Sequence, residues 1–201
     1  MISASKERPL RKAKRRQPLG RGAWLDTARR ALIEEGTVGV EVNKLAKRLG
    51  ISRGGFYYFF ANREQLLDEL LTLWVRTSVA PFERILRDHD GQGQREFAAV
   101  IRLWIDEKDH DPVWDGAVRA WARVSPKVAR AVQLIDQQRI GLLERIFVHL
   151  GYAGIEANVR ARVTYYHQVG YHTLGVLESE KIRLRLAPIY AMVLTGMQDW
   201  R

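Results

Sequence analysis

The sequence from Val42 to Leu67 reads VNKLAKRLGISRGGFYYFFANREQLL, and it decides the fold of this chain. Its first apolar residues recur at the three- and four-residue spacing of one helix face: Val42, Leu45, Ala46 and Leu49. Polar and basic residues fill the positions between them. This pattern predicts a short amphipathic helix from about Val42 to Leu49.

A turn and a second short helix are expected directly after it. Gly50 allows the left-handed backbone of a sharp turn, and we expect Ile51 to pack back into the core. Ser52 is a favourable N-cap for a helix that runs to about Phe60. Two short helices around a glycine turn, rich in Lys, Arg and Tyr, are typical of a DNA-reading helix-turn-helix.

Longer helices flank this motif on both sides. Apolar residues at helical spacing begin at Ala23, and Gly36 fits the C-terminal cap of that helix. After the motif, Asn62 with Gln65 three residues later resembles a capping box, which predicts a helix that continues to about Arg87. The motif is therefore expected to be the last part of a three-helix N-terminal domain.

The rest of the chain predicts helices only. Asp111–Pro112 and Ser125–Pro126 resemble N-cap and first-turn pairs that begin two helices. Two more are expected at about Glu156–Glu178 and Glu180–Trp200, and Pro188 either kinks the last helix or restarts it. Because no period-2 run is long enough to be a strand, we expect an all-α fold of about nine helices.

The positive charge is concentrated near the N-terminus. The net charge is +10, and residues 1–22 alone contain eight Lys or Arg and one Glu. Residues 41–63 contain five more basic residues and one acidic residue, so the remainder of the chain is nearly neutral. This distribution indicates that one end of the molecule binds a polyanion.

Composition excludes several other classes of protein. The chain has no cysteine, so a disulfide framework, a thiolate zinc site and a cysteine nucleophile are excluded. It has no apolar run of the kind that a secretory signal or a membrane span needs. We therefore expect a soluble, intracellular protein with no membrane partner.

The sequence around the motif resembles the TetR family of bacterial one-component transcriptional regulators. Residues 117–132 also resemble the C-terminal part of a TetR subgroup. The residues that carry the main resemblance are Leu45, Ala46, Leu49, Gly50, Ile51, Ser52, Phe56, Tyr57, Phe60, Asn62, Arg63, Leu66 and Leu67.

The resemblance implies a domain organisation, a function and a location in the bacterial cytoplasm, where the protein associates with DNA and uses no cofactor. A flexible basic arm is expected at residues 1–22, a helix-turn-helix DNA-binding domain at residues 23–68, and a larger helical ligand-binding and dimerisation domain at residues 69–201. Such a protein is expected to bind a pseudo-palindromic DNA operator as a homodimer and to be released by a small-molecule ligand. Repression is the usual mode of the family, and activation remains open.

The resemblance also assigns DNA-binding residues. It places the third helix in the major groove, where Arg53 has the donors to read guanine bidentately. Gly54 and Gly55 offer no side chain for readout, but they let the backbone approach DNA closely. The other residues implied in DNA contacts are Asn43, Lys44, Tyr57, Tyr58 and Arg63.

Two departures from the family pattern direct attention to the arm. Phe59 stands where His is common, and Ala61 stands where Lys is common, so two phosphate contacts are missing. Our hypothesis is that the arm compensates for them by following the DNA backbone or entering a minor groove. The alternative is a solvated tail. The arm residues concerned are Lys12, Lys14, Arg15 and Arg16.

Ligand and dimer contacts are expected in the second domain. The effector is expected to be apolar or aromatic, with candidate contacts at Trp104, Trp114, Trp121, Tyr165, Tyr166 and His167. Two helical seams suit either internal packing or a symmetric dimer, and a two-fold symmetric duplex favours the dimer. The seam residues are Tyr166, Gly170, Thr173, Leu177, Ile182, Leu186, Ile189, Val193 and Gly196.

Two other functions compete with this interpretation. An enzyme could use His167 and His172, but five positions apart they fall on different helix faces, and no acidic cluster accompanies them. A nucleic-acid-binding protein without sequence preference could act through the basic arm alone.

Overall fold

The computed structural model describes residues 20–176, 178–198 and 200, and this part of the chain contains nine α-helices and no strand. The predicted all-α fold is confirmed. The helices are α1 (Arg21–Glu35), α2 (Val42–Leu49), α3 (Gly54–Tyr57), α4 (Arg63–His89), α5 (Gly93–Asp106), α6 (Pro112–Ala122), α7 (Pro126–His149), α8 (Gly154–Thr173) and α9 (Glu180–Thr195), with a 3₁₀ turn at Gly36–Gly39.

Aromatic packing holds the first three helices together. The Trp24 and Phe56 side chains are fully buried, and their rings meet edge to face at 5.3 Å between centroids. Phe60 stacks on Phe56 at 5.2 Å, and Leu45 of α2 is buried in the same cluster. We call this unit, α1 to α3, the head.

Local capping chemistry fixes the ends of these helices as the sequence predicts. Gly50 ends α2 in the left-handed conformation, with φ 67° and ψ 35°. Asn62 caps α4 by accepting a hydrogen bond from the Gln65 backbone N–H at 2.9 Å. The Gln65 side chain returns to the Ala61 N–H at 2.7 Å, one residue earlier than in a standard capping box.

Three helices are shorter than the sequence patterns predict. The α-helical part of α3 covers only Gly54–Tyr57, because the flanking residues form turns on either side. Helix α8 ends at Thr173, and α9 ends at Thr195, where Gly196 adopts a left-handed cap with φ 74°. Pro188 lies within a continuous α9, so the helix does not restart there.

Helix α4 joins the head to the remaining helices, which we call the body. The predicted domain boundary at residue 68 falls inside α4, and the division remains a prediction. One hydrophobic core contains head residues such as Trp24 together with Trp74 of α4 and Trp121 of α6. A second core, around Phe97 and Phe147, lies farther along the body. The head therefore shares its core with the body.

Among the described residues, no helix has the length and apolarity needed to cross a membrane.

Candidate nucleic-acid interface

Helix α3 presents its polar face to solvent. Phe56 points into the core, whereas Tyr57 and Tyr58 are 57% and 83% exposed. Arg53, at the N-cap of α3, is exposed as well. The structure thus brings three of the predicted DNA-binding side chains together on one open surface at the end of the molecule.

The two glycines of α3 are not required by packing within the protein. A Cβ atom on Gly54 would lie 3.8 Å from the Ser52 hydroxyl oxygen. A Cβ atom on Gly55 would lie 3.7 Å from Ile51 and 4.0 Å from Trp24, which are ordinary van der Waals distances. Packing within the protein therefore leaves room for a Cβ atom at both positions.

Two of the three basic residues of α2 are held by the end of α1 and the turn that follows it. Lys44 donates to the Val38 carbonyl oxygen at 2.9 Å and lies 3.3 Å from Glu35. Arg48 pairs with Glu34 at 2.6 Å and also with Glu35. Hydrogen bonds from Arg48 and Lys44 lower the pKa of Glu35. Because these pairs are exposed and contribute little to stability, a DNA phosphate can replace the carboxylates at small cost.

Asn43 and Arg63 lie in different surroundings. Asn43 is exposed on the outer side of α2. Arg63 is half-buried, and its guanidinium donates to the Val40 carbonyl oxygen at 2.6 Å and to the Thr37 carbonyl oxygen at 2.7 Å. These bonds brace the segment between α1 and α2. The predicted phosphate contact of Arg63 remains a prediction, and the structure adds a structural role for the same side chain.

Arg21, which the sequence analysis assigned only to the arm, lies close to Phe59. Phe59 is half-buried and meets Tyr58 edge to face at 4.9 Å. Arg21, the first residue of α1, donates to the Phe59 carbonyl oxygen at 2.9 Å and lies over the Phe60 ring at 4.7 Å. Its ion pair with Glu69 raises its pKa. The predicted arm contacts, Lys12, Lys14, Arg15 and Arg16, lie outside the described residues.

A second exposed surface is apolar and lies on α8 and α9. In the predicted seams Tyr166, Ile189 and Val193 are 57%, 55% and 73% exposed. Ile182 and Thr173 are also exposed, Gly170 and Leu186 are half-buried, and Gly196 caps α9. Leu177 lies outside the described residues. The sequence analysis missed three exposed residues that extend the α8 seam at four-residue spacing: Ile155, Val159 and Val163.

Two adjoining cavities lie inside the body. The one nearer the head, which we call the inner chamber, has a volume of about 80 Å³. The other, the outer chamber, has a volume of about 60 Å³ and lies between α5, α8 and α9. Trp104 and Gln168 line both chambers.

The predicted ligand contacts are divided between these cavities and other places. Trp104 lines both chambers, Tyr165 the inner one and His167 the outer one. Trp121 is buried in the core that the head shares with the body, and it lines neither chamber. Tyr166 lies on the exposed apolar surface. Trp114 is buried beside a different groove, between the head and the body.

A buried polar network forms one wall of the inner chamber. Arg139 is only 3% exposed and pairs with Asp115 at 3.0 Å. Arg119 pairs with Asp115 at 2.9 Å and with Asp136 at 2.6 Å, and Tyr165 donates to Asp136 at 2.6 Å. The sequence analysis did not identify the charged members of this network.

The network fixes the protonation of its members. Burial alone would raise the pKa of Asp115, but Arg139 and Arg119 hold it below its ordinary value. Burial raises the pKa of Tyr165 to about 12. Burial lowers the pKa of His110 to about 4, and it lowers the pKa of His172 as well. At neutral pH the inner chamber therefore presents two charged arginines, a neutral phenol and neutral histidines.

The fold and the exposed third helix are those of a helix-turn-helix protein. Residues 25–70 match the family model described as bacterial regulatory proteins, tetR family. The chain is 27% identical over 130 residues to the HTH-type transcriptional regulator EthR of Mycolicibacterium smegmatis, covering 63% of this chain and 60% of that protein. The alignment thus spans less than two thirds of the relative's length.

Solved structures share the whole fold. A transcriptional regulator of the TetR/AcrR family from Thermobifida fusca aligns with a TM-score of 0.62 at 14% identity, over 89% of this chain and 98% of that chain. The ketosteroid transcriptional regulator KstR2 of Mycobacterium tuberculosis aligns with a TM-score of 0.62 at 18% identity, over 92% of this chain and 97% of that chain. At these identities the likeness shows the fold alone. Together with the family match over residues 25–70, it confirms the predicted resemblance to the TetR family of transcriptional regulators.

Proposed function

We propose that this protein is a transcriptional repressor that binds a pseudo-palindromic DNA operator as a homodimer and is released by a small-molecule effector. The observation that carries the proposal is the exposed surface of α3, where Arg53, Tyr57 and Tyr58 surround two bare glycines. Arg53 supplies paired donors for a guanine edge, and the tyrosines supply hydroxyl groups for phosphates.

Selection of bound sequences from random double-stranded DNA tests this proposal. A regulator is expected to enrich a palindromic sequence and to prefer it over random DNA by about a thousandfold or more. Arg53→Ala should reduce affinity for the enriched site and relax the preference at one base pair of each half-site. Enrichment of no sequence would favour the alternative, a nucleic-acid-binding protein without sequence preference.

The exposed apolar surface of α8 and α9 supports the dimer. Apolar side chains on two adjacent helices form a surface that a second copy can cover through a two-fold axis. Such a pairing would give each dimer two heads for two half-sites. Val193→Glu, at a side chain that is 73% exposed, should leave the monomer folded and lower the molar mass measured by light scattering. If the variant keeps the molar mass of a dimer, the dimer interface lies elsewhere.

The two chambers support an effector site in the body. The aromatic lining of the outer chamber suits an apolar or planar group, and the inner chamber adds hydrogen-bonding groups such as Tyr165 and Gln168. Drug-sized ligands occupy cavities of about 300 Å³ or more, so an effector of that size must enlarge or join the two chambers. Trp104→Ala removes a side chain that lines both chambers and should change which aromatic compounds raise the melting temperature, whereas Leu134→Ala, at an exposed position outside both chambers and outside the predicted seams, should not.

The described geometry gives no support to an enzyme based on His167 and His172. His167 lines the outer chamber beside Tyr190, with 4.8 Å between ring centroids, whereas His172 lines the inner chamber and contacts Gln168 at 2.7 Å. Within the described residues no group of three His, Asp or Glu side chains is placed to hold a metal ion. The relatives found by comparison are transcriptional regulators.

A further inference from the structure

We propose that this protein also binds a phosphate or carboxylate anion in a groove between its head and its body. The groove, which we call the junction groove, has a volume of about 420 Å³. It lies between α1, α4, the segment 107–111 and the first turn of α6. It adjoins the inner chamber, with which it shares His110, Asp115 and Arg139, but neither Trp104 nor Tyr165 lines it.

The charges that line the junction groove do not balance. Five basic and three acidic residues line it, which gives a net charge of +2. Each acidic residue is already neutralised by an arginine of the groove. These pairs are Asp109 with Arg84 at 2.8 Å, Asp111 with Arg29, and Asp115 with Arg139 at 3.0 Å.

The uncompensated charge belongs to Arg76 and Lys108. Arg76 lies on α4 and Lys108 lies in the segment between α5 and α6, so they approach the groove from two different elements. Neither side chain forms an ion pair within the part of the chain that the structure describes. Both side chains are exposed, so two unpaired cations on the walls of one concave site attract an anion most strongly at low ionic strength.

An independent observation concerns a buried hydrogen-bond donor of a residue that lines the same groove. Trp114 is only 4% exposed, and its indole N–H has no hydrogen-bond partner among the described residues. The Arg29 guanidinium covers its ring at 4.0 Å. Buried donors are almost always paired, so an unpaired N–H beside a groove indicates a place for a ligand acceptor.

These features select the chemical class of the ligand. An oxygen of a phosphate or carboxylate can accept from the Trp114 N–H, while Arg76 and Lys108 neutralise its charge. A cation would be repelled by the net charge, and an apolar molecule would leave the indole N–H unpaired. Because Trp114 packs under Arg29 of the head, the bound anion lies where the head meets the body.

Calorimetric titration of the full-length protein with sodium pyrophosphate, and separately with citrate, at low ionic strength tests the proposal. The two probes distinguish a phosphate site from a carboxylate site. Removing both free cations in Arg76→Ala/Lys108→Ala should weaken binding of the preferred anion by about tenfold or more. The control, Arg87→Ala/Arg95→Ala, removes the same charge from exposed positions outside the groove and should change affinity by less than about twofold.

A third variant tests the indole donor. Trp114→Phe keeps an aromatic ring under Arg29 but removes the N–H, so it should weaken anion binding by about fivefold or more. Binding of neither anion to the wild-type protein would overturn the proposal. If both double variants lose the same affinity, the anion binds to the general positive surface of the protein, which overturns the proposal. If Trp114→Phe binds the anion as tightly as the wild type, the anion does not contact the indole N–H in the groove, which also overturns the proposal. None of these measurements uses operator DNA, so they are independent of the proposed repressor function.

Discussion

Replacing Gly54 or Gly55 with alanine separates the contribution of these residues to folding from their contribution to DNA binding. The new Cβ atom would meet no protein atom closer than 3.7 Å, and neither glycine has a left-handed φ. Alanine also restricts the unfolded chain and favours the helix, so each substitution should stabilise the protein by about 0.4–1 kcal/mol. Urea denaturation measures this gain.

DNA binding should change in the opposite direction. If the α3 backbone lies against the DNA, the added methyl group crowds a close contact, which costs about 1–3 kcal/mol. This cost corresponds to a decrease in affinity of about 5- to 150-fold. Fluorescence anisotropy with the selected operator, at one fixed salt concentration, measures it.

Gly141→Ala is the matched control, because Gly141 is exposed in the middle of α7 and its added Cβ would meet nothing within 4 Å. It should stabilise the protein by up to about 1 kcal/mol without changing DNA affinity. If Gly54→Ala and Gly55→Ala bind the operator as tightly as the wild type, the bare surface of α3 does not serve close approach. A decrease in stability would contradict the packing argument instead.

Four further predictions follow from single interactions or from one segment. Arg63→Ala removes the two hydrogen bonds to backbone carbonyls and should destabilise the protein by about 1–3 kcal/mol in urea, whereas a phosphate contact alone would leave its stability unchanged. Gly93→Ala places a Cβ 2.6 Å from the backbone of residues 149 and 150, so the melting temperature of the variant should fall by an amount equivalent to about 1–3 kcal/mol. If the variant melts at the wild-type temperature, α5 can move away from that backbone. The pKa of His110 is about 4 in the folded protein, against an ordinary value of 6.5, so the unfolded chain binds the proton first as the pH falls. The free energy of unfolding should therefore decrease between pH 7 and pH 4.5 by at most about 3 kcal/mol, and His110→Gln should flatten this pH dependence. Deleting residues 1–19 should reduce the log–log salt slope of operator affinity by about 0.9 for each DNA phosphate that the arm neutralises, and an unchanged slope would refute the arm hypothesis.

The parts of the fold that are predictable from sequence depend on local chemistry. Helix α2 begins and ends at the predicted residues, because its apolar spacing and the left-handed Gly50 lie within one short stretch. Asn62, Asp111 and Ser125 cap their helices as expected, because a cap needs only neighbouring backbone groups. The sequence pattern places the end of α8 about five residues too late, since its apolar residues continue into the segment before α9.

The interior polar groups are not predictable in the same way. Asp115, Arg119, Asp136 and Arg139 look like ordinary exposed helix charges, because they are spaced along α6 and α7 among other polar residues. Only the packing of α6, α7 and α8 brings them around Tyr165. The sequence suggests several aromatic residues as ligand contacts, and the structure divides them among a core, a surface and three cavities. Aromatic character alone does not say which of these places a side chain will occupy.

The core that the head shares with the body limits how this protein can be recombined with its relatives. Trp74 belongs to that core, and its indole N–H also donates to Asp115 of α6 at 3.2 Å. A chimaera that joined this head to a foreign body at residue 68 would leave Trp24 and its neighbours facing side chains selected for another partner. A functional exchange of DNA specificity therefore has to carry matching residues of α6 and α7 with the head, or be confined to the exposed side chains of α2 and α3.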